Sequence, residues 1–383
     1  MKHTWIVVLW WCVALATHHA HADDSSPAFI SEIDTFDSVV VVPSTTFNQS
    51  GRSDLLWAST LWSLTYYGLA VGNAIGDNDE YGAPTGGAVL LMGSAGFLVP
   101  YALTRNAEVP RGASSMAIGG MFQGALHGWM LGGLIFGDKL GFRTGWGMSA
   151  AVGITETVAG FLLAKQYGIT EGEASLINST MVFSTVSASL ATLDAITETS
   201  STSSDVRLLT GMGLAGAAGG LALANVIRER TRINNADAAV FTTTACILSL
   251  APLAIWGTVS KTIEGSALRY STMAAIAAGM LSGYLMIDGV DYPNDNSLYY
   301  PLGAVAGAAF GWGLSEVTRL GRATPVVMLA GAIGGFGIVL ASESIMSEPG
   351  RLGSVDVNFN PIGMMLAVNS TVPIPIVAVQ LRF

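Results

Sequence analysis

Residues 115–136 read SMAIGGMFQGALHGWMLGGLIF, and within them Gly120, Gly124, Gly128 and Gly132 recur at every fourth position. On an α-helix residues four apart lie one above the other, so the four glycines leave a bare stripe along one face. A second helix can lay its backbone into such a stripe and gain van der Waals contact with no side chain between. The stretch carries no charged residue, and its length is enough to cross a bilayer as a helix. The same spacing returns at Gly68, Gly72 and Gly76, at Gly303, Gly307 and Gly311, and in the pairs Gly216/Gly220, Gly279/Gly283 and Gly331/Gly335.

The surrounding chain has the same character. Of 383 residues 51% are apolar and only 11% charged, with a mean hydropathy of +0.51, where soluble domains carry about 25% charge. Ten stretches predict membrane-length helices: 53–76, 83–105, 109–136, 144–167, 169–196, 206–230, 233–259, 266–287, 292–317 and 323–344. They pair into five tandem hairpins, of which the second, third and fourth open alike: Val109-Pro110-Arg111-Gly112, Ile169-Thr170-Glu171-Gly172 and Ile233-Asn234-Asn235-Ala236. An apolar residue before a helix-starting residue combines a hydrophobic staple with an N-cap. A step of about sixty residues leads to degraded outer copies near Gln49 and Tyr292, as the terminal units of a repeat array should be.

Both termini differ from this plan. Lys2, the apolar run Trp5 to Ala16 and the small residues Ala20 and Ala22 predict a secretory signal peptide over 1–22. Residues 23–52 then form an N-terminal extension, 53–346 the helical-hairpin repeat domain and 347–383 a small β element. In that last part Val377, Val379, Leu381 and Phe383 alternate with other residues, and Pro361, Pro373 and Pro375 break helices. The terminal Phe383, with apolar residues at every second position before it, resembles the C-terminal assembly signal of Gram-negative outer-membrane proteins. The whole plan resembles that of uncharacterised exported envelope proteins with glycine-rich helical-hairpin repeats. These resemblances imply a bacterial envelope protein, with membrane lipid and the outer-membrane assembly machinery as partners; they imply no activity. The fold class expected is an all-α membrane protein of about ten glycine-rich helices in five tandem hairpins, ending in the β element.

Charge leaves the choice of membrane open. The connections within hairpins hold Lys139, Arg143, Arg207, Lys261, Arg269, Arg319 and Arg322; those between hairpins hold Arg105, Arg111, Lys165, Arg228, Arg230 and Arg232. That is no positive-inside bias. The evenness, spans diluted with Gly, Ala, Ser and Thr, and Phe383 favour the outer membrane over the inner. A net charge of −10 gives no footprint for nucleic acid. Beyond residue 22 the chain has one cysteine, Cys246, and one histidine, His127, too few for a Cys/His metal cage or a Ser-His catalytic pair. No cofactor, metal site or enzymatic activity is expected, and a homo-oligomer is compatible with the packing surfaces.

Glu156 is the one mid-span carboxylate, and its depth predicts a cluster with Gln123 and His127 on the partner helix. That cluster reads as interhelical polar glue or as a proton or substrate site. Hydroxyls at Ser179, Thr180, Ser184, Thr185, Ser187, Ser189 and Thr242 to Thr244 either line a polar cavity or bond to their own helix. Two functional classes follow: a non-catalytic structural or assembly component of the envelope, or a channel or transporter with a polar path through the array. Deleting Phe383 should leave export across the inner membrane unchanged but lower outer-membrane incorporation, read by fractionation and protease exposure. Equal incorporation of the truncated chain would remove the signal from the argument.

Overall fold

The computed structural model describes residues 47–76, 83–197, 203–259, 265–293 and 297–346 and the short segments 355–359 and 377–381. The described residues are all-helical apart from those two segments, with ten helices in the expected places. The first, α1, runs through Arg52–Trp62, a π-helical turn at Ser63–Tyr67 and Gly68–Ile75 without a break. It is followed by α2 (Ala83–Thr104), α3 (Arg111–Phe136), α4 (Phe142–Tyr167), α5 (Glu171–Thr197) and α6 (Ser203–Arg230). The chain continues with α7 (Asn235–Val259), α8 (Gly265–Ile287), α9 (Tyr299–Thr318) and α10 (Thr324–Met346). The ninth helix starts later than the sequence suggested, since Asp291 to Pro293 are irregular.

Consecutive helices pair, α1 with α2 through α9 with α10. The hairpins then follow one rule. The first helix of each packs against both helices of the next: α1 on α3 and α4, α3 on α5 and α6, α5 on α7 and α8, α7 on α9 and α10. The helices α3, α5 and α7 are therefore each surrounded by four others. The largest core cluster reflects this, gathering Val240 and Phe241 of α7 with Leu176 of α5, Ile287 of α8, Tyr300 of α9 and Phe336 of α10.

Bare backbone makes the pairing possible. A β-carbon added at Gly120 would lie 2.6 Å from the Glu156 carbonyl oxygen, at Gly124 2.7 Å from the Gly153 α-carbon, and at Gly128 2.5 Å from the Met148 carbonyl oxygen. Side chains almost never approach backbone that closely, so α3 and α4 touch main chain to main chain. Gly132 departs from the expectation, for it meets the Leu140 side chain, at 3.0 Å, in the turn that joins the two helices. In the last hairpin Gly303 faces the Gly335 carbonyl, Gly307 faces that of Gly331 and Gly311 that of Val327, so glycine meets glycine across α9 and α10.

The helix starts form a second recurring contact. Thr170 and Glu173 bond reciprocally, Glu173 N to Thr170 Oγ1 at 3.3 Å and Thr170 N to Glu173 Oε2 at 2.8 Å. Asn234 and Asp237 do the same, with both bonds at 3.0 Å. These are capping boxes, and the apolar residues before the caps, Val109, Ile169 and Ile233, are buried. The residue two places after the cap is small because the next hairpin's entry lies against it: Gly51 faces Pro110, Gly112 faces Ile169 and Gly172 faces Asn234. Hydrogen bonds stitch these entries together. Val109 N donates to Asn48 O at 2.7 Å and Gly51 N to Val109 O at 2.9 Å; Asn234 Nδ2 donates to Tyr292 O at 3.0 Å, and Tyr292 N to Asp237 Oδ1 at 3.3 Å. Burial and the adjacent Asp237 both push the Tyr292 phenol above its ordinary pKa, keeping it a donor to Met286 O.

Seven helices are long and apolar enough to cross a membrane, by length and composition: Gly86–Thr104, Phe142–Tyr167, Glu171–Leu193, Ser204–Arg230, Asn235–Val259, Gly265–Ile287 and Gly321–Ser342. They are seven of the ten membrane-length helices expected. Among the other three, α3 is as long as α4 but holds Gln123, His127 and many glycines, and its surroundings are mostly protein. Outward-facing side chains such as Leu90, Leu91, Leu162, Leu285 and Ile338 are exposed and apolar, the surface an integral membrane protein presents to lipid.

The β element expected at 347–383 is not supported. Its described residues, 355–359 and 377–381, pair only with each other as an antiparallel ladder with Val357 opposite Val379, and a ladder of that size is marginal by itself. The signal peptide and Phe383 lie outside the described residues.

Filling the glycine contact should separate the hairpin. Gly124→Leu or Gly307→Leu should destabilise the fold by about 1–3 kcal/mol or more, whereas Gly219→Leu and Gly141→Leu, which meet little or nothing within 4 Å, should change the thermal midpoint in detergent far less. Equal tolerance at both kinds of position would refute the main-chain contact.

Candidate functional site

The expected polar cluster is split by the structure into two. His127 on α3 and Glu156 on α4 do meet: the His127 Nδ1 lies 2.9 Å from Glu156 Oε1 and 3.0 Å from Oε2. The histidine side chain is 6% exposed and the carboxylate 32%, so the histidine is enclosed while the carboxylate keeps an opening. Room for the carboxylate comes from the glycine stripe, since a β-carbon at Gly124 would stand 3.2 Å from Glu156 Oε2.

Gln123 belongs to a different contact. It is one turn from His127 on the same helix, yet its Nε2 turns to the next hairpin and donates to Asn178 O at 3.0 Å. Asn178 answers with a bond from Nδ2 to Ser115 O at 3.2 Å. Asn178 was visible in the sequence only as part of a polar dilution of α5. Gln123 stands 13 residues after the cap Pro110 and Asn178 eight after Thr170, so repeat position alone does not pair them.

Mid-helix polar side chains continue across the array. Ser179, beside Asn178, bonds Thr242 of α7 at 2.7 Å. On the other side Tyr66 bonds Ser149 at 2.5 Å, Ser149 Oγ donates to Ala125 O at 2.7 Å, and Tyr67 OH and Trp62 Nε1 both donate to Met121 O. The π-helical turn at Ser63–Tyr67 contains both tyrosines, and an extra residue per turn changes which face each presents. Trp62, Tyr66, Trp146 and Trp129 form a connected aromatic group there, with centroid spacings of 4.9 Å for Trp62–Tyr66, 5.5 Å for Tyr66–Trp146 and 5.5 Å for Trp129–Trp146. The polar seam thus runs sideways, from α4 and α1 through α3 and α5 to α7.

The hydroxyl-rich stretch of α5 divides likewise. Thr180 Oγ1 bonds to the carbonyls of its own helix at Leu176 and Ile177, and Ser179 bonds across to α7. Thr185 Oγ1 and Ser189 Oγ are buried with no hydrogen-bond partner. Among the described residues no group of three or more His, Cys, Asp or Glu side chains could hold a metal ion.

Basic residues at the helix ends serve as caps. Arg143 at the start of α4 donates to Gly76 O at the end of α1, and Arg207 at the start of α6 donates to Ile135 O at the end of α3, at 3.2 Å. A cation at a helix C-terminus answers both the orphan carbonyls and the dipole. In each case the second helix of one hairpin caps the first helix of the preceding one. At the other end Arg52 Nε donates to Thr104 Oγ1 at 3.2 Å, with its guanidinium 4.8 Å from the Tyr101 ring centroid, and Arg228 lies 3.6 Å from Glu173. Basic residues on both sides of the array thus have structural partners, at two helix C-termini as caps and at the other end in side-chain contacts.

Comparison with known proteins found no matching family model, no matching curated protein and no matching solved structure. The geometry stands by itself. If Asn178 joins hairpins by its two amide bonds, Asn178→Leu should lower the thermal midpoint in detergent and raise the susceptibility of the α4–α5 connection to protease. Ser187→Leu serves as the control. A midpoint for Asn178→Leu equal to the control's would show that the amide is dispensable.

Proposed function

We propose that this protein is a non-catalytic structural or assembly component of the bacterial cell envelope, embedded in a membrane as an array of helical hairpins. The observation that carries the reading is the direction of the polar contacts. A conduction path would string polar groups along the helix axes from one face of the membrane to the other. Here Gln123–Asn178 and Ser179–Thr242 pair at similar depth in neighbouring hairpins, and the caps Arg143 and Arg207 tie helix ends of one hairpin to the next. Such contacts fix the hairpins' order and register, and interhelical hydrogen bonds of this kind contribute roughly 0.6–2 kcal/mol each.

In this reading residues 1–22 direct export and are removed, and the terminal Phe383 with the alternating residues before it acts as an outer-membrane assembly signal, so the outer membrane is favoured over the inner. Lipid and the outer-membrane assembly machinery are its partners. The second reading, a channel or transporter, draws on Glu156 and on the unpartnered hydroxyls of Thr185 and Ser189.

Fractionation of the native host's membranes, with flux measured across vesicles holding the purified protein, separates these readings. A structural component gives no saturable or ion-dependent flux with several ions and small solutes, and deletion of its gene alters envelope integrity. Flux in the unmodified protein that Glu156→Gln abolishes would overturn the structural reading in favour of transport.

A further inference from the structure

The His127–Glu156 pair holds a property that packing alone does not require. With one shared proton the histidine and the carboxylate are neutral overall, as an ion pair when the proton sits on nitrogen and as two uncharged groups when it sits on oxygen. One more proton leaves a net positive charge, and one fewer leaves a net negative charge. Either charge then sits beside the main-chain contact of α3 and α4, next to Gly124 and Gly128, with the imidazole enclosed by protein, where an uncompensated charge is costly. We propose that the pair is a proton-sensitive fastener, which holds α3 on α4 over a limited pH range and loosens that contact outside it.

Among the described residues no other charged group is placed to take over. From α1 the facing titratable side chains are Tyr66 and Tyr67; its charged residues, Arg52 and Asp54, are at the helix start. In α5 the charged groups are Glu171 and Glu173, in its first turn, and Asp194, in its last. Those of α6 are Asp205 and Arg207 near one end and Arg228, Glu229 and Arg230 at the other. In α3 and α4 themselves the remaining charges, Arg111, Arg143 and Lys165, stand in terminal turns. Tyr67 donates to Met121 O, which commits its proton to a backbone acceptor. Any charge change at the pair therefore stays there.

The test follows thermal unfolding of the full-length protein in detergent, by helicity and by the near-ultraviolet signal of the aromatic group around Trp62, Trp129 and Trp146, from about pH 4 to about pH 9. Wild type should show a plateau with a loss of roughly 5 °C or more on acidification. His127→Gln leaves a lone carboxylate that acid neutralises, so this variant should gain stability as pH falls. Glu156→Gln leaves a lone imidazole that acid charges, so it should lose stability as pH falls. The double variant should lack both trends, and it supplies the baseline for all other titrating groups. Nuclear magnetic resonance of the histidine-labelled wild type gives a reading that needs no variant: the His127 ring should change charge over the range in which the helix contact weakens. A double variant that keeps the wild-type profile, single variants whose trends share a sign, or a His127 ring that titrates with no change in stability would each overturn the proposal.

Discussion

Main-chain contact between the two helices of a hairpin, made where Gly120, Gly124 and Gly128 meet Glu156, Gly153 and Met148, is the constraint on which the other features depend. It brings α3 and α4 close enough for His127 to reach Glu156, and it leaves the carboxylate the space above Gly124. In lipid, apolar side chains gain little by leaving one apolar surrounding for another, so close packing and interhelical hydrogen bonds must hold helices together. Glycine serves both needs here, because it removes the side chain that would hold the helices apart and so lets short polar side chains reach across.

Contacts between hairpins use different chemistry. Entry segments touch through small residues after the caps and through backbone hydrogen bonds such as Val109 N to Asn48 O, while helix ends are tied by Arg143 and Arg207. Specificity for the neighbouring unit thus sits at the ends of the helices and in the mid-depth amide and hydroxyl pairs. The long apolar surfaces between these levels remain for packing and for lipid.

Much of the architecture was legible in the sequence because helix length, glycine spacing and cap residues are local properties. The ten helices and the capping boxes at Thr170 and Asn234 could be read from periodicity and from residues three apart. What could not be read was direction around a helix axis between units. Gln123 and His127 are one turn apart and share a depth with Glu156, so depth alone grouped them; only rotation about α3 decides that Gln123 faces Asn178 instead. The π-helical turn at Ser63–Tyr67 was hidden for a similar reason, since no residue type marks it.

The enclosure of α3 has a consequence for biogenesis. A segment inserts by itself when its own side chains favour lipid over water, and in α3 the mid-helix Gln123 and His127 work against that preference. Its surroundings in the finished array are α1, α4, α5 and α6, which means that the environment suited to α3 does not exist until part of the array has been made. Its partner α4 is long and apolar enough to cross a membrane and covers one side of it, and the third hairpin covers another. Each hairpin supplies part of the solvent for the one before it.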